Sequence, residues 1–291
     1  ERIFSDKLEK ILGKRRLPNE PFTQRFKDIA YSAQDRLSEI VVKICEYALT
    51  SNNTTNLCLS GGVALNCQTN LIVTEKTNLK NIYIPSAPND SGVALGAAIL
   101  ESENQGYKTE KLSHSYLGNR YKNDEIKKLL INHSLKFKEY EDPIDEAKKD
   151  ILKGNIVGWF SGKMEFGPRA LGSRSILADP RQKKMKSIIN NKIKFREEFR
   201  PFCPSVLTKN ISTFYDEKFF SPFMNINKRA KKITKQNYPS IVHVDGTSRV
   251  QSVSKVKGHN YYDLMIELEK NDNLQNLLNT SLNINGQTLA N

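Results

Sequence analysis

The chain has 291 residues, with 45 Lys and Arg against 32 Asp and Glu and a hydrophobic fraction of 38%. These are globular values with room for two domains. No run approaches the ~20 apolar residues that cross a bilayer, and the opening ERIFSDKLEK lacks a signal-peptide pattern, so membrane-spanning, secreted and fibrous classes recede.

In chain order, residues 24–50 carry Ile29, Ala33, Leu37, Ile40, Ile44 and Ala48 at helical steps, which predicts an amphipathic helix with that stripe inward. Leu57 to Ser60 reads as a strand, followed by Gly61-Gly62 and a helix through Asn70. Asn81 to Pro85 is a second strand leading to a polar turn and a helix over 92–100. This β–turn–α rhythm predicts an α/β domain. Residues 101–122 are polar and read as a linker, placing the boundary between units of 1–112 and 113–291. The pattern then restarts, with helices over 124–132 and 143–153 and strands over 135–140 and 156–160.

Cys45, Cys58, Cys67 and Cys203 lack metal-site spacing and lie in apolar surroundings, so buried free thiols in a reducing, cytoplasmic compartment are expected. His114, His133 and His259 read as surface residues. Charge is local: residues 151–250 hold 20 Lys and Arg against 7 Asp and Glu, a balance of +13 that equals the whole chain's. A concentrated basic window predicts an anionic partner, either small phosphates or nucleic acid. Gly/Pro-punctuated loops carry much of this charge without a stripe or aromatic interleaving, which makes nucleic acid the disfavoured choice.

Five segments could carry chemistry. Gly61-Gly62 at a strand–helix junction, with Asn66 beyond it, could cradle a phosphate or simply turn the chain. Asp90 in Asn89-Asp90-Ser91-Gly92 could ligate a divalent cation, although capping the next helix is the commoner use of an Asp there. The loop 162–175 gathers Glu165, Gly167, Arg169 and Arg174, and Arg forks suit phosphate oxygens. Lys194 and Arg196 alternate, so on an extended strand they would share a face beside Arg200; the other reading is a charged helix face continuing 188–193, cut short by Pro201. Ser281 and Asn283 alternate in the same way after Asn279 and an apolar strand over 274–278. His243 and Arg249 add a polar stretch between them.

In this order, LCLSGGVALNC, PSAPNDSGVALGAA, GKMEFGPRALGSRSILADPR, KFREEFRPFCPSV, HVDGTSRVQ and LLNTSLNINGQ resemble the NodU/CmcH/TobZ family of O-carbamoyltransferases over nearly the whole chain. The resemblance implies part of an actin/hexokinase-like (ASKHA) transferase domain followed by a YrdC-like domain. It implies that the latter makes carbamoyl-adenylate from carbamoyl phosphate and ATP with Mg2+. The former would pass the carbamoyl group to a hydroxyl of a small-molecule acceptor, with iron(II) or another divalent metal. It places the Lys-x-Arg and Ser-x-Asn constellation on Lys194, Arg196, Ser281 and Asn283, the phosphate loop on Gly61 and Gly62, and a metal ligand on Asp90. Relatives also carry a preceding region with a histidine pair and continue past NTSLNINGQ. The expectation is therefore a fragment, or a chain whose N-terminal complement comes in cis or in trans, with an incomplete metal site. The competing expectations are an RNA-binding YrdC-like module and a catalytically incomplete scaffold.

Overall fold

Helix α1 (Asp6–Leu12) leads into the long helix α2 (Gln24–Ser51). The computed structural model describes residues 5–216, 218–284 and 287–288; Asn285 and Gly286 of the last motif lie outside them. Strand β1 (Asn56–Cys58), helix α3 (Cys67–Lys76), strand β2 (Asn81–Tyr83) and helix α4 (Val93–Asn104) follow. β1 and β2 pair in parallel, with Leu57 opposite Ile82. The helix expected over 24–50 is present, but its buried residues are Ser38, Cys45 and Leu49, while Ile40 and Ile44 are exposed. Two apolar stripes run along this helix, and the one bearing Val41, Val42, Cys45 and Leu49 meets α3 and the β1–β2 pair. Cys45, Cys67 and Cys203 are buried free thiols as expected; Cys58 is exposed.

Residues 105–122 contain no helix or strand but are well anchored. Ser115 O accepts from Phe166 N (2.6 Å), and Gly118 N donates to Met164 O (2.9 Å). Tyr116 stacks on His259 at 3.7 Å and donates its hydroxyl to Leu171 O (2.8 Å). His259 is therefore buried, against the surface position expected for it.

Helix α5 (Asn123–Asn132) precedes residues 135–140, where a strand was expected and none forms: every residue there is exposed and none joins a ladder. Alternation alone does not make a strand without a partner edge. Helix α6 (Pro143–Leu152) starts where its sequence dictates, with Pro143 in the first turn and the Asp142 carboxylate accepting from Ile144 N and Asp145 N. Next come β3 (Val157–Phe160), β4 (Arg174–Ala178), α7 (Met185–Ile189), β5 (Cys203–Leu207), α8 (Ile211–Phe214), β6 (Asn227–Arg229), α9 (Lys232–Asn237), β7 (Thr247–Arg249), β8 (Gln251–Val253), α10 (Tyr261–Asp272), β9 (Asn276–Ser281), β10 (Asn283–Ile284) and β11 (Gln287–Thr288). A mixed five-stranded sheet runs β3-β4-β9-β5-β8, parallel only between β5 and β8. α10 buries Tyr261, Leu264, Met265 and Leu268, spaced at helical steps, and packs on α6 and β5. No helix among the described residues is long and apolar enough to cross a membrane.

The two units interlock. Phe219 and Ile226 pack into the core formed by Cys45, Leu49, Val73 and Ile84. Asn70 Nδ2 donates to Asn225 O (2.7 Å), Asn225 Nδ2 to Pro85 O (2.8 Å) and Asn227 Nδ2 to Gln68 Oε1 (2.9 Å). Gly167, expected to bind substrate, belongs to this junction: its φ is +117°, and a Cβ there would lie 2.5 Å from Ser86 O. Gly167→Ala is expected to lower stability by about 2 kcal/mol in urea denaturation, through left-handed strain and a clash with rigid backbone.

Candidate active site

The helical register 185–189 continues into one wider π turn, Asn190–Lys194, and stops at Phe195, which is left-handed (φ 47°, ψ 52°). Lys194 is therefore the end of a helix, and the extended strand expected through Lys194 and Arg196 is absent. They nonetheless meet in one place. A cleft of about 850 Å³ is lined by Lys194, Phe195, Arg196, Arg200, Ser281 and Asn283 among others. Lys194 is 5% exposed, and its ammonium donates to Ser281 O (2.5 Å), Asn283 O (3.0 Å) and Asn283 Oδ1 (2.6 Å), with Ser281 Oγ at 3.5 Å. Burial, then the Arg196 charge, pulls its pKa down to about 8.

Arg196 is aimed by a residue the sequence reading missed. Asn190, fully buried, accepts from Arg196 N with its carbonyl (3.1 Å) and from Arg196 Nε with its side chain (2.7 Å). The same side chain donates to Glu198 O and Arg200 O, fixing the return of the loop. The available signal was a polar residue in the apolar register Ile188-Ile189-Asn190. Arg200 pairs with Glu197 at 2.9 Å, but among the described residues neither Lys194 nor Arg196 has a carboxylate partner.

A second cleft of about 450 Å³ adjoins the first, shares Arg196 and Arg200 with it, and adds His243, Asp245, Arg249 and, from the first unit, Leu65, Cys67 and Gln68. Arg249 Nε donates to Cys203 Sγ (2.9 Å). Arg169 reaches across to Leu65 O (3.1 Å) while its Nε is buried without a partner. Burial, then the charge of Arg249, holds the Arg169 pKa below its ordinary value. His243 is pushed down to about 4, chiefly by burial, so its ring is neutral near pH 7; its Nδ1 meets Thr247 Oγ1 at 3.1 Å and its Nε2 has no partner.

Other expected ligand residues are occupied internally. Glu165 Oε1 accepts from Leu171 N (2.8 Å), Ser173 N (2.7 Å) and Arg174 N (3.2 Å), and its Oε2 accepts from Arg174 Nε (3.1 Å). These two residues thus brace their own loop instead of facing a cleft. Asn279 is fully buried and donates to Ala170 O, Ser205 Oγ and Gln251 Oε1, tying the loop to the sheet. Asn66 caps α3 through Thr69 N and donates to Gln34.

Gly61 and Gly62 line neither cleft. The Gly61 N–H is committed to Pro88 O (2.6 Å), stitching this loop to the one bearing Asp90. Asp90 is exposed, does not cap a helix through its side chain, and belongs to no cluster of three or more His, Cys, Asp or Glu among the described residues. A single carboxylate does not make a divalent-cation site, so no step is routed through a metal there.

The clefts gather an excess of cations, of which Lys194 and Arg196 have no ion-pair partner among the described residues, beside backbone carbonyls and amides that fix their positions. Such a site can hold phosphate oxygens and offset charge as a phosphoryl group reacts. Comparison with known proteins gives the family. The family model described as carbamoyltransferase N-terminus matches residues 2–99, and that described as carbamoyltransferase C-terminus matches residues 148–291. Nodulation protein NolO of Bradyrhizobium diazoefficiens is 37% identical over 278 residues, covering 93% of this chain and 51% of that protein. An uncharacterized protein of Synechocystis is 36% identical, covering 95% of this chain and 50% of its own length. Nodulation protein U of Sinorhizobium fredii is 33% identical, covering 80% and 40%. The chain spans about half the length of the first two of these relatives. Both family models match in chain order, and the chain belongs to the carbamoyltransferase family.

Proposed function

We propose that this chain carries the carbamoyl-activating part of an ATP-dependent O-carbamoyltransferase, joining the carbamoyl group of carbamoyl phosphate to the adenylyl group of ATP. The observation that carries the reading is the buried Lys194 ammonium. It is held by Ser281 and Asn283 at the wall of a cleft, beside Arg196, and among the described residues neither cation forms an ion pair with a carboxylate. A desolvated cation without a counter-ion is costly, and an anionic substrate supplies the missing charge. Atom balance requires one water and releases both phosphate and pyrophosphate. The carbamate oxygen bonds to the α-phosphorus as the bond to pyrophosphate breaks. In this reading Lys194 and Arg196 bear on the phosphate oxygens of that displacement, and Asn190 keeps the guanidinium aimed. Arg249 and neutral His243 line the adjoining anion pocket, with Arg169 bonded to its wall at Leu65 O. Because Arg196 and Arg200 line both clefts, two anionic groups can be held side by side. Magnesium would accompany the nucleotide. Transfer to a hydroxyl of a small-molecule acceptor is the second half of the reading, and it draws on the region of the relatives beyond this chain.

Pyrophosphate release from ATP is expected to depend on carbamoyl phosphate and to fall about 10²–10³-fold in Lys194→Ala, with a smaller loss in Ser281→Ala. Release indifferent to carbamoyl phosphate, or unchanged in Lys194→Ala, would contradict the assignment. The pH dependence has a definite sign. Lys194 is cationic below about 8, so affinity for the anionic substrates is expected to fall as pH rises through about 8. In Lys194→Arg, whose charge persists, that fall should vanish from a KM–pH profile taken between pH 7 and 9.5.

A further inference from the structure

Five non-glycine residues of the described chain have positive φ: Asn53, Ser134, Phe195, Met224 and Asn273. Asparagine tolerates the left-handed region and serine is small, so only Phe195 and Met224 are bulky residues held there against steric cost. Met224 is 2% exposed and packs with Tyr116, Leu171, Cys203 and Phe223, so burial offsets its strain. Phe195 has no such compensation: the residue is 62% exposed. It also occupies the position just past a helix end where glycine closes the turn without strain. The side chain itself is thus the reason for a phenylalanine at this point, and the surface it lines is the Lys194 cleft.

The cleft wall is otherwise polar, formed by Asn191, Lys194, Arg196, Ser281 and Asn283 and by the ion pair of Glu197 with Arg200, which leaves Lys194 and Arg196 as its excess positive charge. A ligand that satisfies these groups with phosphate oxygens and Phe195 with a flat face has an anionic tail and a planar ring. We propose that Phe195 is the stacking platform for the base of the nucleotide in this cleft, an assignment that rests on the nucleotide reading given above. Its left-handed backbone is retained because it turns the ring outward beside the phosphate-binding cations. Stacking on a π face is tolerant of which base is bound, so Phe195 contributes affinity for a nucleoside polyphosphate without selecting adenine over guanine.

The test compares ATP with tripolyphosphate, a probe that keeps the charge and lacks the base. In Phe195→Gly the Kd for ATP should rise about tenfold, the order expected for loss of one base–ring stack. The Kd for tripolyphosphate should stay within about twofold of the parent. Tm should rise, because glycine relieves the turn. Phe195→Tyr should bind ATP as the parent does. Equal weakening of both probes, or unchanged ATP affinity in Phe195→Gly, overturns the platform. Lys194→Ala separates this failure from that of the underlying reading, since it should weaken both probes. If it weakens neither, or if the parent chain binds neither, the nucleotide assignment of the cleft falls and the platform with it.

Discussion

An ammonium taken out of water without a counter-charge is the constraint around which the second unit is arranged. Lys194 must be buried, fixed and left electrostatically unsatisfied at once, and each requirement has a structural answer. The π turn Asn190–Lys194 ends the helix at this side chain. The end of the central strand β9 and the start of β10 deliver carbonyl and amide oxygens from Ser281 and Asn283. Neutral acceptors orient the ammonium while leaving its charge in place, whereas a carboxylate there would have cancelled it. Asn190 extends the same logic to Arg196, using an amide where an acid would have neutralised the guanidinium.

Much of the architecture was legible because it rests on local signals. The strand–loop–helix rhythm of the first unit and the helices expected over 124–132 and 143–153 follow from residues a few positions apart. What the chain could not disclose is what meets what across long sequence separations. Helix α2 has two apolar stripes, and only the placement of α3 and Phe219 decides which is buried. Residues 135–140 have the right alternation and no edge to pair with. Grouping Lys194 and Arg196 with Ser281 and Asn283 anticipated one cleft, although a helix end and not a strand brings the first pair there. Glu165 and Arg174 illustrate the opposite problem. Charged residues in a glycine-rich loop look the same in sequence whether they face a ligand or each other, and here they face each other. Asn190 was invisible because a buried asparagine announces only that it needs partners, not which ones.

The candidate site is divided between two adjoining clefts with two guanidinium side chains in common. One is walled entirely by the second unit. The other borrows Leu65, Cys67 and Gln68 from the first, and Arg169 spans the boundary to Leu65 O. The glycine pair and Asp90 stand apart from both, on loops bound to each other through Pro88.

That junction is held largely by uncharged groups. Asn70, Asn225 and Asn227 bridge the units through amide–carbonyl hydrogen bonds, supported by Phe219 and Ile226 in the facing core, and the ion pair of Arg229 with Glu75 lies at an exposed position. Amide hydrogen bonds and apolar contacts are little affected by mobile ions, whereas attraction of anions into an open cationic cleft is screened by them. Raising ionic strength therefore separates two properties that dilution or heat would perturb together: the units stay joined while the clefts lose their hold on charged ligands. The protein's assembly and its ligand capture answer to different features of the solvent.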